Sequence, residues 1–535
     1  MQDKLIVAAR SDAFGERMLN FLNAIYLSSK VGLKFGYIWP EYFYRWSKEE
    51  LLARNIIREG SDLFTEEELF SKQFIKEYSY ANKLKTNEGE LFIQSEGIFL
   101  KDQVYHLTEF VKDPQYSWGW SSTQFDLSIL FPEIDAREYH SELRKIWQKL
   151  TLDFCDDAKD SLRFAMHVSN QLGDNFISIH LRSGGFVYDD RMVARFGVRK
   201  AVPIHLVLDV IQQKNKDYSI VIFGDDLDSI RQLKEYCFFS LNLSNIFIVD
   251  DFTNHNFSRK QQTLFELILL SMSLEIYTSG RSGFSNLANI LTRESKLLSL
   301  YEIYSKEEQL KIISSYVSTI QFHHLQQAFS YLHLYLLSKE LKHPLSEQQA
   351  FLEETLKLDP NNIANKILLL YNLLLQKKYS KADFILENIF LNNHEKDLFM
   401  YILFQENPQP YGGGLFYSYV MPEFLKVDYI FKFPYLFSVA CIIIDKIKNM
   451  EIDFLYGAND VKFIKTYVDK FEIFKVQYNN ILQSQAQCRC KTHLSYQIGK
   501  AFIEASKERR FLAYIKFPMK LYKIIKYFKN NKGKK

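Results

Sequence analysis

Apolar residues fall into two kinds of run along this chain. The first kind is short and unbroken: "KLIVAA" (4–9), "FISIHL" (176–181), the opening of "SIVIFGDD" (219–226), "IFIVDDF" (246–252), "EIYTSG" (275–280) and "KLLSLY" (296–301). Unbroken apolar runs of this length predict strands buried on both faces, as in a parallel sheet. "KFGYIW" (34–39) reads as one more. The second kind recurs at helical spacing. It covers "MLNFLNAIYLSSKVG" (18–32, stopping at Gly32), 140–171, Pro203 to Gln213, "DSIRQLKEY" (228–236), "RKQQTLFELILLSMSL" (259–274) and "SGFSNLANILT" (282–292). Strand, loop, helix and strand alternate from the start, and again from 171 to about 305, which predicts α/β architecture with doubly wound parallel sheets.

Near residue 306 the strand signal stops. Residues 351–390 read as a helix, an "LDPNN" turn and a second helix, with "KKYSKADFILE" resembling the start of another unit, a tetratricopeptide-like arrangement. Such a region either buttresses an enzyme or binds a protein partner. Residues 41–130 are less regular, and "SWGWSS" (117–122) reads as a loop with two exposed or half-buried tryptophans. The expected division is 1–170 and 171–305 as two α/β domains, 306–505 as a helical domain, and 506–535 as a tail.

Composition narrows the picture only slightly. With 535 residues and 47% hydrophobic content, several buried cores are affordable. The 67 basic and 64 acidic residues nearly cancel, which argues against a nucleic-acid binder. Charge is uneven locally: the last 29 residues hold 11 Lys or Arg against one Glu. Lys516, Lys520, Lys523 and Lys526 recur at helical spacing, with Phe517, Leu521, Ile524, Ile525 and Phe528 between them, suited to lying on an anionic inner-membrane leaflet. Five scattered cysteines outline no disulfide framework, and Cys488-Arg489-Cys490 alone is a weak metal signal. The start of the chain has too short an apolar core for a signal peptide, and no apolar run spans a membrane. A cytoplasmic protein, peripheral to the membrane, is the expectation.

The candidate chemistry sits at strand ends. In an open parallel sheet, ligands bind beyond the carboxyl ends of the strands. "FISIHLRSGG" brings His180 and Arg182 to such an end, where a guanidinium can hold phosphate oxygens in a fork. Gly184 and Gly185 would let a large ligand approach the backbone. Asp225 and Asp226 end the next strand, where carboxylates can accept from a base or a sugar. In "TSGRSGFSNLA", Ser279, Gly280, Arg281, Ser282, Gly283 and Ser285 form a small-residue turn opening a helix, which suits phosphate. Three such strand ends in one sheet point to a nucleoside-diphosphate site.

These stretches resemble the GDP-fucose-dependent fucosyltransferases of the α1,2, α1,6 and protein O-linked groups. "IHLRSGG" is similar to their H-x-R-x-G motif, "FGDDLDSI" to their strand-end acidic pair, and "SGRSGFSNLA" to their S-S-F-S-type turn. "SDAFGERMLNFLNAIYLSSKVGLKF" resembles their opening G-x-x-R loop and first helix. The resemblance covers about residues 1–305 and implies the GT-B fold, with two facing Rossmann-like domains. It implies that Arg182 holds the donor pyrophosphate and that His180 and Asp226 recognise guanine. Ser282, Phe284 and Ser285 would close on the phosphates, and Gly15 and Arg17 would line the cleft. Gly185 stands where the α1,2 enzymes carry Asp, so the linkage and the sugar, fucose or a related GDP-sugar such as a heptose, stay open. The expected reaction is inverting transfer to a glycan or lipid-linked glycan in polysaccharide or glycoconjugate assembly. No D-x-D is placed on a sugar-nucleotide strand, so no metal or cofactor is expected. Asp12, Glu16, Asp189 and Asp190 are the candidate bases. Two alternatives stay open: a GT-B transferase with a UDP-linked or non-sugar donor, and an inactive helical-repeat scaffold.

Overall fold

A computed structural model describes residues 4–10, 13–39, 64–80, 84, 104–188 except 113, 115 and 174, 201–404 except 253–255, 281, 293–295 and 321, 417–449 except 418 and 427–431, and 498, 501–503, 518 and 521–526. The chain divides into two compact units that part between Gln326 and Gln327.

The first unit is α/β, and both of its sheets are parallel among the described residues. Strands β1 (Leu5–Ala8), β2 (Lys34–Tyr37) and β3 (Gly119–Ser121) form one sheet in the order β2-β1-β3. Strands β4 (Phe176–Leu181), β5 (Ser219–Gly224), β6 (Ile246–Ile248), β7 (Glu275–Thr278) and β8 (Lys296–Ser299) form the other, in the order β6-β5-β4-β7-β8. Every side chain of β4 is buried, as its continuous apolar run requires. Chain order reverses between β4 and β7, so a crevice opens there beyond the carboxyl ends of the two strands.

Helices of eight or more residues in this unit are α1 (Phe14–Val31), α2 (Ala136–Leu150), α3 (Asp156–Leu172), α4 (His205–Lys214), α5 (Leu227–Leu241), α6 (Arg259–Ser271), α7 (Gly283–Leu291) and α8 (Lys306–Tyr316). Their ends follow local chemistry. α1 stops at Gly32, whose φ of 69° is the left-handed cap that glycine supplies without steric cost. Ser258 with Gln261, and Ser282 with Ser285, form reciprocal caps at the starts of α6 and α7. One hydrophobic cluster runs through both sheets, from Ile6 and Phe21 to Phe223, Phe265 and Leu287.

Three sequence expectations need correcting. The helix read over 140–171 is two helices, α2 and α3, separated by a tight turn at Thr151–Asp153. The break lets buried Phe154 pack edge-on against Phe70, 5.8 Å between ring centres, which continuous helix would not permit. Trp118 and Trp120 are buried, because "SWGWSS" holds β3 and donates Ser122 N–H to the Val7 carbonyl beside it. α1 begins at Phe14, so Gly15, Glu16 and Arg17 sit on a helix rather than in a loop.

The second unit is helical in its described residues: α9 (His324–Glu340, whose first turn straddles the division), α10 (Leu345–Leu358), α11 (Ile363–Leu375), α12 (Tyr379–Leu391), α13 (Asn393–Leu403) and α14 (Pro434–Asn449). The "LDPNN" turn joins α10 to α11, with Asn362 accepting from Asn365 N–H as the cap. Asp383 of α12 accepts from the N–H groups of Tyr435 and Leu436, both at 2.9 Å, and so caps α14 from outside. Of the tail, residues 521–526 are helical, with Leu521 buried and Lys523 and Lys526 exposed. Lys516, Lys520, Phe517 and Phe528 lie outside the described residues, as do Cys488 and Cys490. Among the described residues no helix is long and apolar enough to cross a membrane.

Candidate functional site

Of the residues singled out at the strand ends, His180, Arg182, Ser279 and Phe284 come together at the crevice between β4 and β7. His180 pairs with Thr278 across the two strands, and its carbonyl accepts from Ser279 N–H at 3.3 Å. Arg182 N–H in turn donates to Ser279 Oγ at 3.3 Å. These two bonds tie the β4 exit to the β7 exit, and the Arg182 side chain that follows is half-buried.

His180 is only 9% exposed. Its ring stacks on Phe284, at 5.4 Å and 26°, and its Nδ1 has no hydrogen-bond partner among the described residues. Burial, with the Arg182 charge adding to it, lowers the imidazole pKa to about 4, so the ring is neutral at physiological pH. A neutral imidazole carries one donor and one acceptor, and a buried unsatisfied nitrogen is costly unless a ligand or water meets it.

Burial sets a pH dependence as well. His205 is also lowered to about 4 by burial. Both folded values lie below the unfolded value of about 6.5. Their neutral forms therefore support the fold fully above pH 6.5, and that support is lost as pH falls toward 4. Lowering of this size corresponds to about 3 kcal/mol per histidine as an upper bound. We expect the urea midpoint of the first unit to fall between pH 6.5 and 4.5, and to fall less in His180→Gln. An equal fall in both proteins would remove His180 as a contributor.

The acidic pair is committed to internal partners. Asp225 Oδ1 accepts from Ser183 N–H at 2.7 Å and Gly184 N–H at 3.0 Å, holding the loop that follows β4. A Cβ on residue 184 would lie 2.4 Å from Asp225 Oδ2, so glycine is needed there for the carboxylate's close approach. Asp226 caps α5 by accepting from Ser229 N–H at 3.2 Å. Its other oxygen accepts from Tyr188 Oη and Gln326 Nε2, both at 2.6 Å. Burial pushes the Asp226 carboxyl up, but these hydrogen bonds outweigh it and leave the group below the usual carboxylate range. Tyr188 and Gln326 carry no local sequence signal, since they lie 38 and 100 residues from Asp226.

The α7 turn is likewise partly self-satisfied. Ser282 and Ser285 hydroxyls bond each other at 2.9 Å, and each accepts from the other's N–H. The N–H groups of Gly283 and Phe284 open the helix, where anions are favoured. α1 meets α7 closely at this point. A Cβ on Gly15 would lie 2.4–2.5 Å from the backbone of Gly283 and Phe284, and one on Gly283 would lie 2.6 Å from Glu16 Cγ and Cδ. Gly15 is thus a packing glycine, and Glu16 lies against the first turn of α7. Arg17 is buried with its guanidinium 5.5 Å from the Trp39 ring centre. Asp12, Asp189, Asp190 and Arg281 lie outside the described residues. Among the described residues no cluster of three or more His, Cys, Asp or Glu side chains could hold a metal ion. A surface depression lined by Leu172, Asn175, Lys216 and Asn245 lies at the amino ends of β4 and β5, away from this crevice.

A family model described as a domain of unknown function (DUF8374) matches residues 440–535. No curated protein sequence matches the chain. Among solved structures, the chain is similar to the fucosyltransferase NodZ from Bradyrhizobium, at 13% identity and a TM-score of 0.30 over 55% of this chain and 94% of that one. It is similar to POFUT1 in its apo-form at 9% identity and a TM-score of 0.29, over 56% of this chain and 97% of that one. POFUT1 in complex with GDP-fucose gives 8% identity and a TM-score of 0.29 over the same shares.

Proposed function

We propose that residues 1–326 form a GT-B-type glycosyltransferase unit of two Rossmann-like sheets, which moves a sugar from a GDP-linked donor to a glycan acceptor. The observation that carries this reading is the crevice between β4 and β7. It combines a half-buried arginine, a buried neutral histidine with an unpartnered nitrogen, and the first turn of α7. The four motifs named above support the guanine nucleotide as the donor class.

Transfer breaks the anomeric C–O bond, and charge develops on the leaving diphosphate. Arg182 supplies a fixed cation for that charge, and the open N–H groups of α7 add their dipole. His180 accepts from or donates to the donor as a neutral ring. Asp225 and Asp226 act one step back: they hold the backbone of 183–184, Tyr188 and the α5 terminus, so that Arg182 stays aimed at the leaving group. The acceptor hydroxyl loses its proton to a carboxylate among Asp12, Glu16, Asp189 and Asp190. Of these, Glu16 is the one among the described residues, beside the α7 turn.

Thermal unfolding with GDP, UDP and CMP tests the donor class. We expect GDP alone to raise the midpoint of the first unit, by the same amount in excess EDTA. A shift with UDP or CMP instead would move the donor to another class. No shift with any nucleotide would favour the inactive scaffold.

The basic tail is proposed to hold the protein against an anionic leaflet. Exposed Lys523 and Lys526 support this, while buried Leu521 ties part of the apolar face to the protein itself. Each lysine near the surface contributes on the order of 1 kcal/mol. Replacing Lys516, Lys520, Lys523 and Lys526 by Gln should abolish flotation with anionic vesicles at low salt. Unchanged flotation would remove the tail from membrane contact.

A further inference from the structure

We propose that Lys339, Tyr335, Tyr371 and Tyr419 form a second ligand site, within the helical unit, for an oxyanion of the phosphate class. Lys339 lies on α9 and is half-buried. Its ammonium stands 4.9 Å from the ring centre of Tyr371, on α11, and 4.2 Å from that of Tyr419. The two rings meet edge to face at 5.2 Å and 89°, so they form two walls of a corner around the cation. Tyr335, one turn earlier on α9, is fully buried, and its hydroxyl has no hydrogen-bond partner among the described residues. Tyr419 and Tyr371 both act electrostatically on the Tyr335 phenol.

Among the described residues no carboxylate pairs with Lys339. Lysines nearby in the same unit are paired: Lys366 with Glu395, Lys381 with Glu353, Lys426 with Glu423. Lys339 makes no ion pair or hydrogen bond among the described residues, and its contacts are the two ring faces. Burial lowers its pKa, opposed weakly by the charge of adjacent Glu340. Glu423, which faces Tyr371, is taken by Lys426.

Ring faces offset part of the desolvation of a cation, but they accept no N–H as an oxyanion does. An ammonium has three N–H donors. The ring walls leave donors unspent, and the Tyr335 hydroxyl adds another. Donors in excess and one positive charge, with no counter-charge among the described residues, are completed by a compact oxyanion. Lysine binds phosphate as a point charge, without needing the planar fork of arginine. This site is independent of the reading given for the first unit.

Trace acetylation with acetic anhydride, resolved by mass spectrometry, reads the Lys339 amine directly in the full chain. We expect Lys339 to label at lower pH than exposed Lys381. Millimolar inorganic phosphate, against chloride at matched ionic strength, should slow labelling of Lys339 several-fold and leave Lys381 unchanged. Labelling of Lys339 that ignores phosphate, or that slows in parallel with Lys381, overturns the site. Lys339→Met, placed in an Arg182→Ala background that weakens phosphate binding by the first unit, gives the second reading. It should unfold no earlier than its parent in chloride, since an unpaired cation is gone, and should lose the parent's stabilisation by phosphate. Earlier unfolding in chloride with the phosphate effect intact would mark Lys339 as a packing residue and overturn the proposal.

Discussion

Arg182→Ala should fold normally and lose sugar transfer by about 10²–10³-fold, the typical consequence of removing one preorganised donor to developing charge. Folding should survive because the side chain is half-buried and the backbone bond from residue 182 to Ser279 Oγ does not need it. The loss should appear mainly in turnover, since the cation matters most where charge builds on the leaving diphosphate. Arg182→Lys should fall between the two, keeping a charge but not two parallel N–H groups. Circular dichroism and thermal unfolding establish the fold, and release of GDP from the donor measures the rate. Equal rates in wild type and Arg182→Ala, with both folded, would remove Arg182 from the mechanism.

Gly15→Ala should be the more damaging change to stability. Its added methyl meets backbone atoms of Gly283 and Phe284 at 2.4–2.5 Å, and backbone cannot rotate aside as a side chain can. The two helices must separate, or α1 must shift on its sheet. Overpacking in a tight core costs about 1–3 kcal/mol, and a backbone-to-backbone clash belongs at the upper end. Gly283→Ala meets the flexible Glu16 side chain first, at 2.6 Å, but also Glu16 N at 2.8 Å, so it should cost somewhat less. Urea unfolding followed by tryptophan fluorescence gives both values. A Gly15→Ala protein as stable as wild type would mean that the helices do not touch as described.

Much of the α/β half was legible because buried parallel strands leave continuous apolar runs, and β4, β5 and β7 each carry one. The start of α7 was legible from a capping pattern contained in four residues. Strand order was not, because pairing of β4 with β7 joins residues about a hundred positions apart. The same limit hid the use of the acidic pair. Strand-end carboxylates look alike whether they face a ligand or, as Asp226 does, accept from Tyr188 and Gln326. Gly184 was read as room for a ligand, and its neighbour is Asp225. Trp118 and Trp120 were misread because a three-residue strand is too short to display a period.

The crossing of α1 and α7 also bears on how this unit can move. Packed helices usually slide by readjusting the side chains between them, and such shear motions are small because each rotamer well gives a little. At Gly15 there is no rotamer to readjust, because its neighbours are backbone atoms of Gly283 and Phe284. Displacement of α1 at Gly15 is therefore passed to the start of α7 as backbone motion. The first sheet leads into α1 and the second into α7, so the sheets can turn about this point but cannot glide across it. The close approach at Gly15 thereby favours turning over sliding where the two helices cross.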